Sequence, residues 1–516
     1  MKKHHQISGG AADQKSKMAA AGLVLIYLLS LIPVLAVARY DCASGDDYGF
    51  GAAAHQAFVR TGSMAAAVQA DVYHVGEVYE IWQGTWLSCF LFGLHPEVFH
   101  YHAYVIVPWI MLFVLSAGVL IFVHYFLTVR FGFSGSFSLS AAMVLLISMV
   151  QFVPDRRFAY FWWNGSIHYT VPFTLAILSL VCADQWLRTQ RRRSLVLLCL
   201  LATALGGMSY PAALLAPVLI FLFTAADLIR KHISGIWAAF LLVPAALEGV
   251  GLWISARAPG NRVRGGASFG FHIGRMLRTI GECFVYAVQT AFRFNRQSPL
   301  LLFAVVLFVW ILLLEMKRLR GQGVTIRVSW GELVEILGFG FLGYVAVFAP
   351  ELYAGVSVSE GVGNTYFLCF LLMMFTDILA VTFYIVSHHA PSGRKTHVWR
   401  CVVILILLCG YALVFRRNLK TTADYQCLTF IRTGNADRFH QEMELQNRLL
   451  TENDDPDVIL PMTNGYDGPI MHMPVVEDST AWTNQKTAEF YGKRTIIGMK
   501  REEWVARYGE KYGVIQ

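Results

Sequence analysis

Long apolar runs constrain this chain more than any other feature of its sequence. A helix that crosses the roughly 30 Å hydrocarbon core of a bilayer needs about 20 mostly apolar residues. Only 15% of the residues are charged, against about 25% in soluble domains. The sequence therefore predicts a mainly α, polytopic transmembrane protein with about eleven spans. The predicted spans are residues 18–38, 104–128, 137–153, 169–187, 194–209, 212–228, 235–254, 298–316, 329–349, 365–388 and 400–415.

Basic residues cluster in the connections at one end of these runs. Lys and Arg concentrate in cytoplasmic loops, so this end is expected to face the cytoplasm, with the N-terminus inside and the C-terminus outside. Two features oppose the assignment: basic residues at 416–420 flank the last run outside, and residues 257–296 carry seven arginines there. The clusters are Lys2, Lys3, Lys15 and Lys17; Arg188 and Arg191–Arg193; Arg230 and Lys231; Lys317, Arg318, Arg320 and Arg327; and Arg394, Lys395 and Arg400.

The chain divides into two regions. Residues 1–416 are expected to form the transmembrane domain, whose first run is a retained helix and not a removed signal peptide. In the first outer loop, 39–103, apolar and polar residues alternate with the spacing of helices that lie along a membrane surface. Residues 417–516 hold 15 of the 34 acidic residues and contain the strand-like segments VIL and RTIIG. They predict a small extracytoplasmic α/β or α+β domain.

Polar residues gather at the predicted outer ends of the helices. Several loops on one face of a helical scaffold can together form a binding or catalytic site. The candidate catalytic residues are Asp46 and Asp47, and the candidate substrate-binding residues are Tyr48, Glu80, Trp82, Arg156, Arg157, Trp163, Asn164, His168, Tyr169, Tyr210, Asn261, Arg262, Arg264 and Glu360.

The acidic pair admits three interpretations. Asp46 or Asp47 could accept a proton from an attacking hydroxyl and act as a general base. The two carboxylates could also hold a divalent cation or raise one another's pKa. Alternatively, one of them caps the next helix at its amino end, where Asp is favoured.

The outer arginines and aromatic residues also admit two interpretations each. Arg156, Arg157, Arg262 and Arg264 could bind a phosphate, with Asn261 and the neighbouring glycine backbone completing the cradle; contact with anionic lipid headgroups is the alternative. Trp163 and Tyr169 could stack on a sugar or belong to an interfacial aromatic belt. Asn164 begins an NGS glycosylation sequon but fits a polar site residue better.

The histidines, the mid-span aspartate and the cysteines give weaker indications of a functional site. His95, His100 and His102 are better explained as interfacial residues than as metal ligands. Asp377 lies in the middle of a predicted span, where burying a carboxylate is costly, so it is a candidate functional residue. Alternatively, its carboxyl group is neutral or paired inside the bundle. The nine cysteines suggest core packing, and nucleotide-binding and common hydrolase motifs do not occur. The net charge of +8 reflects orientation, not nucleic-acid binding.

Five short stretches give the chain a family resemblance. DDY, YEIWQG, WWNGSIHYTVP, APGNRVR and WTNQKTAEFYG, in this order, resemble the GT-C superfamily of membrane glycosyltransferases, and more narrowly a bacterial multi-pass family related to GtrII-type glucosyltransferases. The resemblance implies a protein of the bacterial inner membrane. It implies transfer of a sugar from a polyprenyl-phosphate donor to an extracytoplasmic envelope glycan or lipid acceptor.

The resemblance also implies site roles. The acidic residue of the first outer loop acts as base in an inverting displacement, which carries onto Asp46 or Asp47, with Asp47 favoured because it adjoins Tyr48. No DxD motif lies there, so metal dependence is in doubt and no cofactor is certain. A transporter or flippase of a lipid-linked glycan is the main alternative, and it would place polar residues at the bilayer midplane. A non-catalytic envelope assembly or sensory protein is a third.

Overall fold

The computed structural model is mainly helical, with 78% of the chain in helices and 2% in strands. The side chains of residues 3–12, 264–265 and 398–404 lie outside the description. The residues whose backbone the structure describes are 3–265, 270–324, 327–355, 357–388, 398–465 and 468–514.

Helices cover most of the predicted apolar runs. Those in the described residues are α1 (Lys3–Val37), α2 (Asp46–Thr61), α3 (Met64–Ile81), α4 (Trp86–Phe92), α5 (Val107–Val123), α6 (Gly135–Gln151), α7 (Trp163–Thr189), α8 (Arg192–Gly206), α9 (Tyr210–Ile229), α10 (Gly235–Ala239), α11 (Leu242–Arg257), α12 (Asn261–Gly265), α13 (Ile273–Gln297), α14 (Leu301–Gly321), α15 (Trp330–Ala346), α16 (Ala349–Ala354), α17 (Glu360–His388), α18 (Val398–Val414), α19 (Ala423–Arg432), α20 (Asn435–Thr451), α21 (Trp482–Tyr491) and α22 (Arg501–Tyr512).

Seven helical segments of the described chain are long and apolar enough to cross a membrane, which makes this a polytopic helical protein. They cover seven of the eleven expected runs. The other four runs differ. Helices α6 and α8 have only 17 and 15 residues, and the described apolar part of α18 is Leu405–Val414. Helix α14 forms a pair with α13 that is bent by 96° and counts as an eighth span at most. The seven are Asp13–Tyr40, Ala103–Arg130, Trp163–Thr189, Tyr210–Ile229, Gly235–Arg257, Trp330–Ala354 and Glu360–His388.

Charged side chains connect the helices at one end of the bundle. The Arg188 guanidinium bridges Asp184 of its own helix and Asp227 of α9 at 2.8 and 2.9 Å. Arg318 pairs at 2.6 Å with the buried Glu315 of the same helix, α14, and Glu315 Oε1 accepts a hydrogen bond from the Ser134 N–H, just before α6, at 2.8 Å. These pairs bring together helix ends that the basic clusters assign to one side.

Residues 39–103, predicted as the first outer loop, contain α2, α3 and α4 and lie at the opposite end. Gly45 has a φ of +53°, which a residue with a side chain adopts at a cost, and it turns the chain into α2. Both aspartates then lie in the first turn of α2, where negative charge is favourable. The Ser63 side chain accepts a hydrogen bond from the Ala66 N–H at 3.3 Å and caps α3.

The C-terminal segment has two strands, β1 (Asp457–Pro461) and β2 (Thr495–Met499), which pair in parallel. β1 contains the VIL segment and β2 contains RTIIG except for Arg494, so the two strand predictions are confirmed. The segment has its own apolar cluster, in which Leu449, Val458 and Trp504 are buried. Helix α21 lies in the connection between the strands, as a parallel pair requires a crossover.

Helix α21 packs against α2, so the end of the chain covers the start of the first outer loop. The Phe490 ring lies 4.0 Å from the His55 ring, stacked, and 4.7 Å from the Tyr48 ring. The Ser44 hydroxyl accepts a hydrogen bond from the Met473 N–H at 3.2 Å. The acidic pair and the C-terminal segment therefore lie at the same end of the bundle.

Candidate functional site

Three buried carboxyl groups meet beneath the N-terminus of α2. Asp41, Asp47 and Glu97 are 4%, 1% and 3% exposed. Backbone donors hold two of them: the Ala43 N–H donates to Glu97 Oε2 at 3.0 Å, and the Ser44 N–H donates to Asp47 Oδ2 at 3.3 Å. The segment between the first span and α2 thus folds around its own carboxyl groups and that of Glu97.

Tyr104 connects this cluster to the second outer loop. Its hydroxyl donates to Asp47 Oδ2 at 2.9 Å and accepts a hydrogen bond from the Trp163 N–H at 2.8 Å. His95 Nε2 lies 3.1 Å from the Asp47 carbonyl oxygen. The structure therefore brings together two of the sequence-predicted site residues, Asp47 and Trp163.

Burial determines the electrostatics of the cluster. It raises the pKa of Asp47 and of Asp41 well above their usual range, and the neighbouring Asp47 carboxylate adds to the rise at Asp41. Burial raises the pKa of Glu97 to about 8, and it lowers the pKa of His95 to about 3, which keeps that imidazole neutral. A carboxyl group with the pKa of Glu97 can hold and exchange a proton near neutral pH.

Several oxygen atoms of the cluster have no hydrogen-bond partner among the described residues. They are both carboxyl oxygens of Asp41, Oδ1 of Asp47 and Oε1 of Glu97. Buried polar atoms are nearly always hydrogen-bonded in proteins. Such oxygens in a buried acidic cluster make it a candidate functional site.

Asp46 differs from Asp47. It is partly exposed, and its Oδ1 accepts a hydrogen bond from Trp482 Nε1 of α21 at 2.9 Å. The Lys486 ammonium lies 4.7 Å from the centroid of the Trp482 ring. Asp46 thus contacts the C-terminal segment, whereas Asp47 belongs to the buried cluster.

A narrow cavity lies between the segment at Asp41–Tyr48 and the C-terminal segment. Ser44, Tyr48 and Tyr101 line it on one side, and His472 and Tyr491 are among the residues that line the other. The Tyr101 hydroxyl donates to Glu444 Oε1 at 3.0 Å. Burial lowers the pKa of His472 to about 4, so its ring is neutral.

The second outer loop residues lie against α4 and the start of α17. Trp163 Nε1 donates to the Leu91 carbonyl at 2.7 Å, and His168 Nδ1 lies 2.8 Å from the Ser88 hydroxyl. Asn164 is buried, and neither polar atom of its side chain has a hydrogen-bond partner in the described part of the chain. The Tyr169 hydroxyl lies 3.0 Å from Oγ of Ser359, the residue before Glu360.

Arg156 and Arg157 lie near α17 and α19. The Arg157 guanidinium donates to the Asp155 carboxylate at 2.6 Å, and the Asp155 N–H donates to Asn364 Oδ1 at 2.9 Å. Burial raises the pKa of the Cys427 thiol of α19, and the nearby positive charge of Arg156 opposes this rise. Its Nη1 is buried and has no hydrogen-bond partner among the described residues.

The APGNR segment, residues 258–262, packs against the end of α3. The Gly84 N–H donates to Asn261 Oδ1 at 3.3 Å, and the Gly260 N–H donates to the Tyr79 carbonyl at 3.1 Å. A Cβ on Gly260 would lie 2.2 Å from the Trp82 nitrogen, so only glycine permits this approach.

The remaining sequence candidates take various positions. Glu80, Trp82 and Arg262 are exposed, and Tyr210 is half-buried in the first turn of α9. The Arg264 side chain lies outside the described residues. Arg156 and Arg157 lie against elements other than those that Asn261 contacts, and the expected phosphate cradle stays a prediction.

Sequence reasoning did not select Asp41, Glu97 or Tyr104. The available signals were weak: Asp41 follows the first span directly, and Glu97 lies in an apolar and histidine-rich stretch. A further missed carboxyl is Asp71 of α3, which is fully buried against Gly93 and whose pKa burial raises to about 8. Within the described residues no three or more His, Cys, Asp or Glu side chains are grouped so that they could hold a metal ion.

Comparison of the chain with family models, with curated proteins and with solved structures found no match. The fold and the cluster define the class that can be stated: a polytopic helical protein with a buried acidic site at one end of its bundle.

Proposed function

We propose that this protein is a membrane glycosyltransferase that moves a sugar from a polyprenyl-phosphate donor to an envelope glycan or lipid acceptor. The observation that supports the proposal most is the buried carboxyl cluster, in which Asp47 Oδ1 has no hydrogen-bond partner among the described residues. Once ionised, a carboxylate whose pKa is raised is a stronger base than an ordinary carboxylate.

The proposed reaction is a direct displacement. The acceptor hydroxyl oxygen bonds to the anomeric carbon while the bond between that carbon and the donor phosphate breaks, and Asp47 takes the hydroxyl proton. The lipid phosphate leaves with the bonding electron pair, so the sugar is inverted and no further energy source is needed. Arginines of the outer loops, Arg264 foremost, stabilise the charge on the departing phosphate.

Access to Asp47 is part of the proposal. The carboxyl is 1% exposed, and α21 and Met473 lie over the segment that carries it. An acceptor hydroxyl would reach Asp47 after the C-terminal segment has moved away from α2. Such a movement would break the hydrogen bond between the Trp482 indole and Asp46.

The test compares Asp47→Asn with Asp46→Asn in proteoliposomes that contain a polyprenyl-phosphate sugar. Loss of a general base costs about 10²-fold to 10⁴-fold in rate, so we expect Asp47→Asn to lose transfer by that factor and Asp46→Asn to lose much less. Asp46→Asn is the matched control because it neutralises the adjacent carboxyl.

Two results would end the proposal. One is full transfer by the Asp46→Asn, Asp47→Asn double variant. The other is a wild-type protein that changes the sidedness of the lipid-linked sugar without forming a covalent product, which would indicate the transporter or flippase alternative.

A further inference from the structure

Helix α13 has three faces of different chemistry. Successive residues of a helix advance by about 100° around its axis, which separates the faces clearly. The packed face contains Thr279, Cys283, Ala287, Thr290 and Phe294, all buried. On one side of it lies an exposed apolar stripe of Ile273, Leu277, Ile280, Phe284 and Val288, and on the other side lie Arg278, Arg293 and Arg296, also exposed.

The helix lies across the bundle. Its axis meets that of α14 at 96°, and α14 packs along α1, α6 and α17. The N-terminal end of α13 is held where the Tyr353 hydroxyl accepts a hydrogen bond from the His272 N–H at 2.8 Å. A helix perpendicular to α14 lies parallel to the plane of a membrane that α14 crosses.

The two exposed faces suit the boundary between hydrocarbon and water. Leu277 is 63% exposed and Ile280 52%, so the apolar stripe is open along its length. None of Arg278, Arg293 and Arg296 forms a salt bridge with a described residue. Glu282 is an acidic residue on the same edge, which leaves the edge with a net positive charge.

We propose that α13 is an in-plane interfacial helix whose arginine edge binds the phosphates of anionic phospholipids while its apolar stripe lies in the acyl region. Guanidinium groups bind phosphate through paired N–H donors, and a basic amphipathic helix with one apolar face adopts this position. The proposal accounts for three of the seven arginines between residues 257 and 296, on the side that orientation by positive charge leaves poor in them. It requires no substrate and does not depend on the proposed transferase activity.

The first experiment measures lipid binding to the purified full-length protein by native mass spectrometry, with phosphatidylglycerol and phosphatidylethanolamine as probes. The test variant carries Arg278→Gln, Arg293→Gln and Arg296→Gln. The control variant carries Arg432→Gln, Arg448→Gln and Lys500→Gln, which removes the same charge from exposed positions of the C-terminal segment.

Each basic residue near an anionic surface contributes measurably, so we expect the test variant to bind phosphatidylglycerol at least about tenfold more weakly and the control to stay within about twofold of wild type. Binding of phosphatidylethanolamine should not change. Wild-type affinity in the test variant, or an equal loss in the control, would overturn the proposal.

A second measurement is independent of lipid affinity. Leu277→Cys and Arg278→Cys are compared in proteoliposomes for reaction with a charged maleimide, and peptide mapping locates the label so that native cysteines do not interfere. We expect the cysteine at 278 to react about tenfold faster than its neighbour at 277, because position 277 lies in the acyl region. Equal rates would contradict an in-plane helix even if the arginine variant failed to fold.

Discussion

At the scale of single residues, the molecule separates two neighbouring aspartates by environment. Asp46 meets the Trp482 indole at the surface, whereas Asp47 is enclosed with Asp41, Glu97 and the Tyr104 hydroxyl. Both lie in the first turn of α2, so the helix N-terminus favours either charge. Burial outweighs this effect at Asp47, because its pKa is raised. The identity of a residue says little about its proton affinity until its surroundings are known.

The buried Glu97 carboxyl predicts a characteristic dependence of stability on pH. Its pKa rises from 4.5 to about 8 on folding, so between these values the folded state binds more protons than the unfolded state. The free energy of unfolding therefore falls as pH rises through this range, by at most about 1.4 kcal/mol per pH unit for one carboxyl group. Glu97→Gln should flatten the decline, as measured by thermal unfolding in detergent between about pH 5 and pH 8.

Glu502→Gln is the control for this prediction, since it removes an exposed carboxyl group of α22. It should leave the slope unchanged. If Glu97→Gln and wild type lost stability in parallel as pH rises, Glu97 would not be the group whose ionisation matters.

At the scale of helices and strands, much of the structure follows from the sequence. Seven apolar runs are helices of spanning length, and the two strand-like segments pair. Hydropathy is local, which is why it succeeds for these elements. It fails for α13, because apolar residues on one face of a helix do not make an unbroken run in the sequence. Residues 273–297 form a long amphipathic helix, whereas the apolar runs predict an outer loop there.

The contact between α3 and the APGNR segment can be tested at one glycine. Gly260→Ala would place a methyl group 2.2 Å from the Trp82 nitrogen, and we expect the resulting overpacking to cost about 1–3 kcal/mol. Gly249→Ala of α11, where a Cβ meets nothing within 4 Å, should stabilise its helix by up to about 1 kcal/mol. Melting temperatures of the two full-length variants give the comparison, and equal values would show that the close approach is not formed.

At the scale of the whole molecule, the candidate site is assembled from distant parts of the chain. The hydrogen bond between Asp46 and Trp482 joins residues 436 positions apart, and the Asp155–Asn364 bond joins residues 209 apart. Sequence reasoning selected Asp47 and Trp163 from their loops but not Glu97 or Tyr104. Glu97 and Tyr104 become site residues only through tertiary packing, because no local pattern indicates which glutamate or tyrosine will be buried beside an aspartate.

The arrangement also predicts the sidedness of two chain positions. The connection at Gln190 lies at the end of the bundle where Arg188 pairs with Asp184 and Asp227, and the C-terminal segment lies at the other end with Asp46. We expect an alkaline phosphatase fused after Gln516 to be active and one fused after Gln190 to be inactive, because basic connections stay in the cytoplasm. Green fluorescent protein at the same positions should give the opposite pattern. Fluorescence at both positions would contradict a bundle with these two ends on opposite sides of the membrane.

The packing of α21 on α2 has a consequence for biogenesis. The aspartates of α2 leave the ribosome early, whereas Trp482 and Phe490, which contact Asp46 and His55 of this helix, are synthesised near the end. During translation of the intervening four hundred or so residues, these carboxylates stay hydrated and charged. The acidic site therefore forms in one late step, after the final segment has reached the same side of the membrane. In a nascent chain released too early, the carboxyl groups of the site would stay exposed to water.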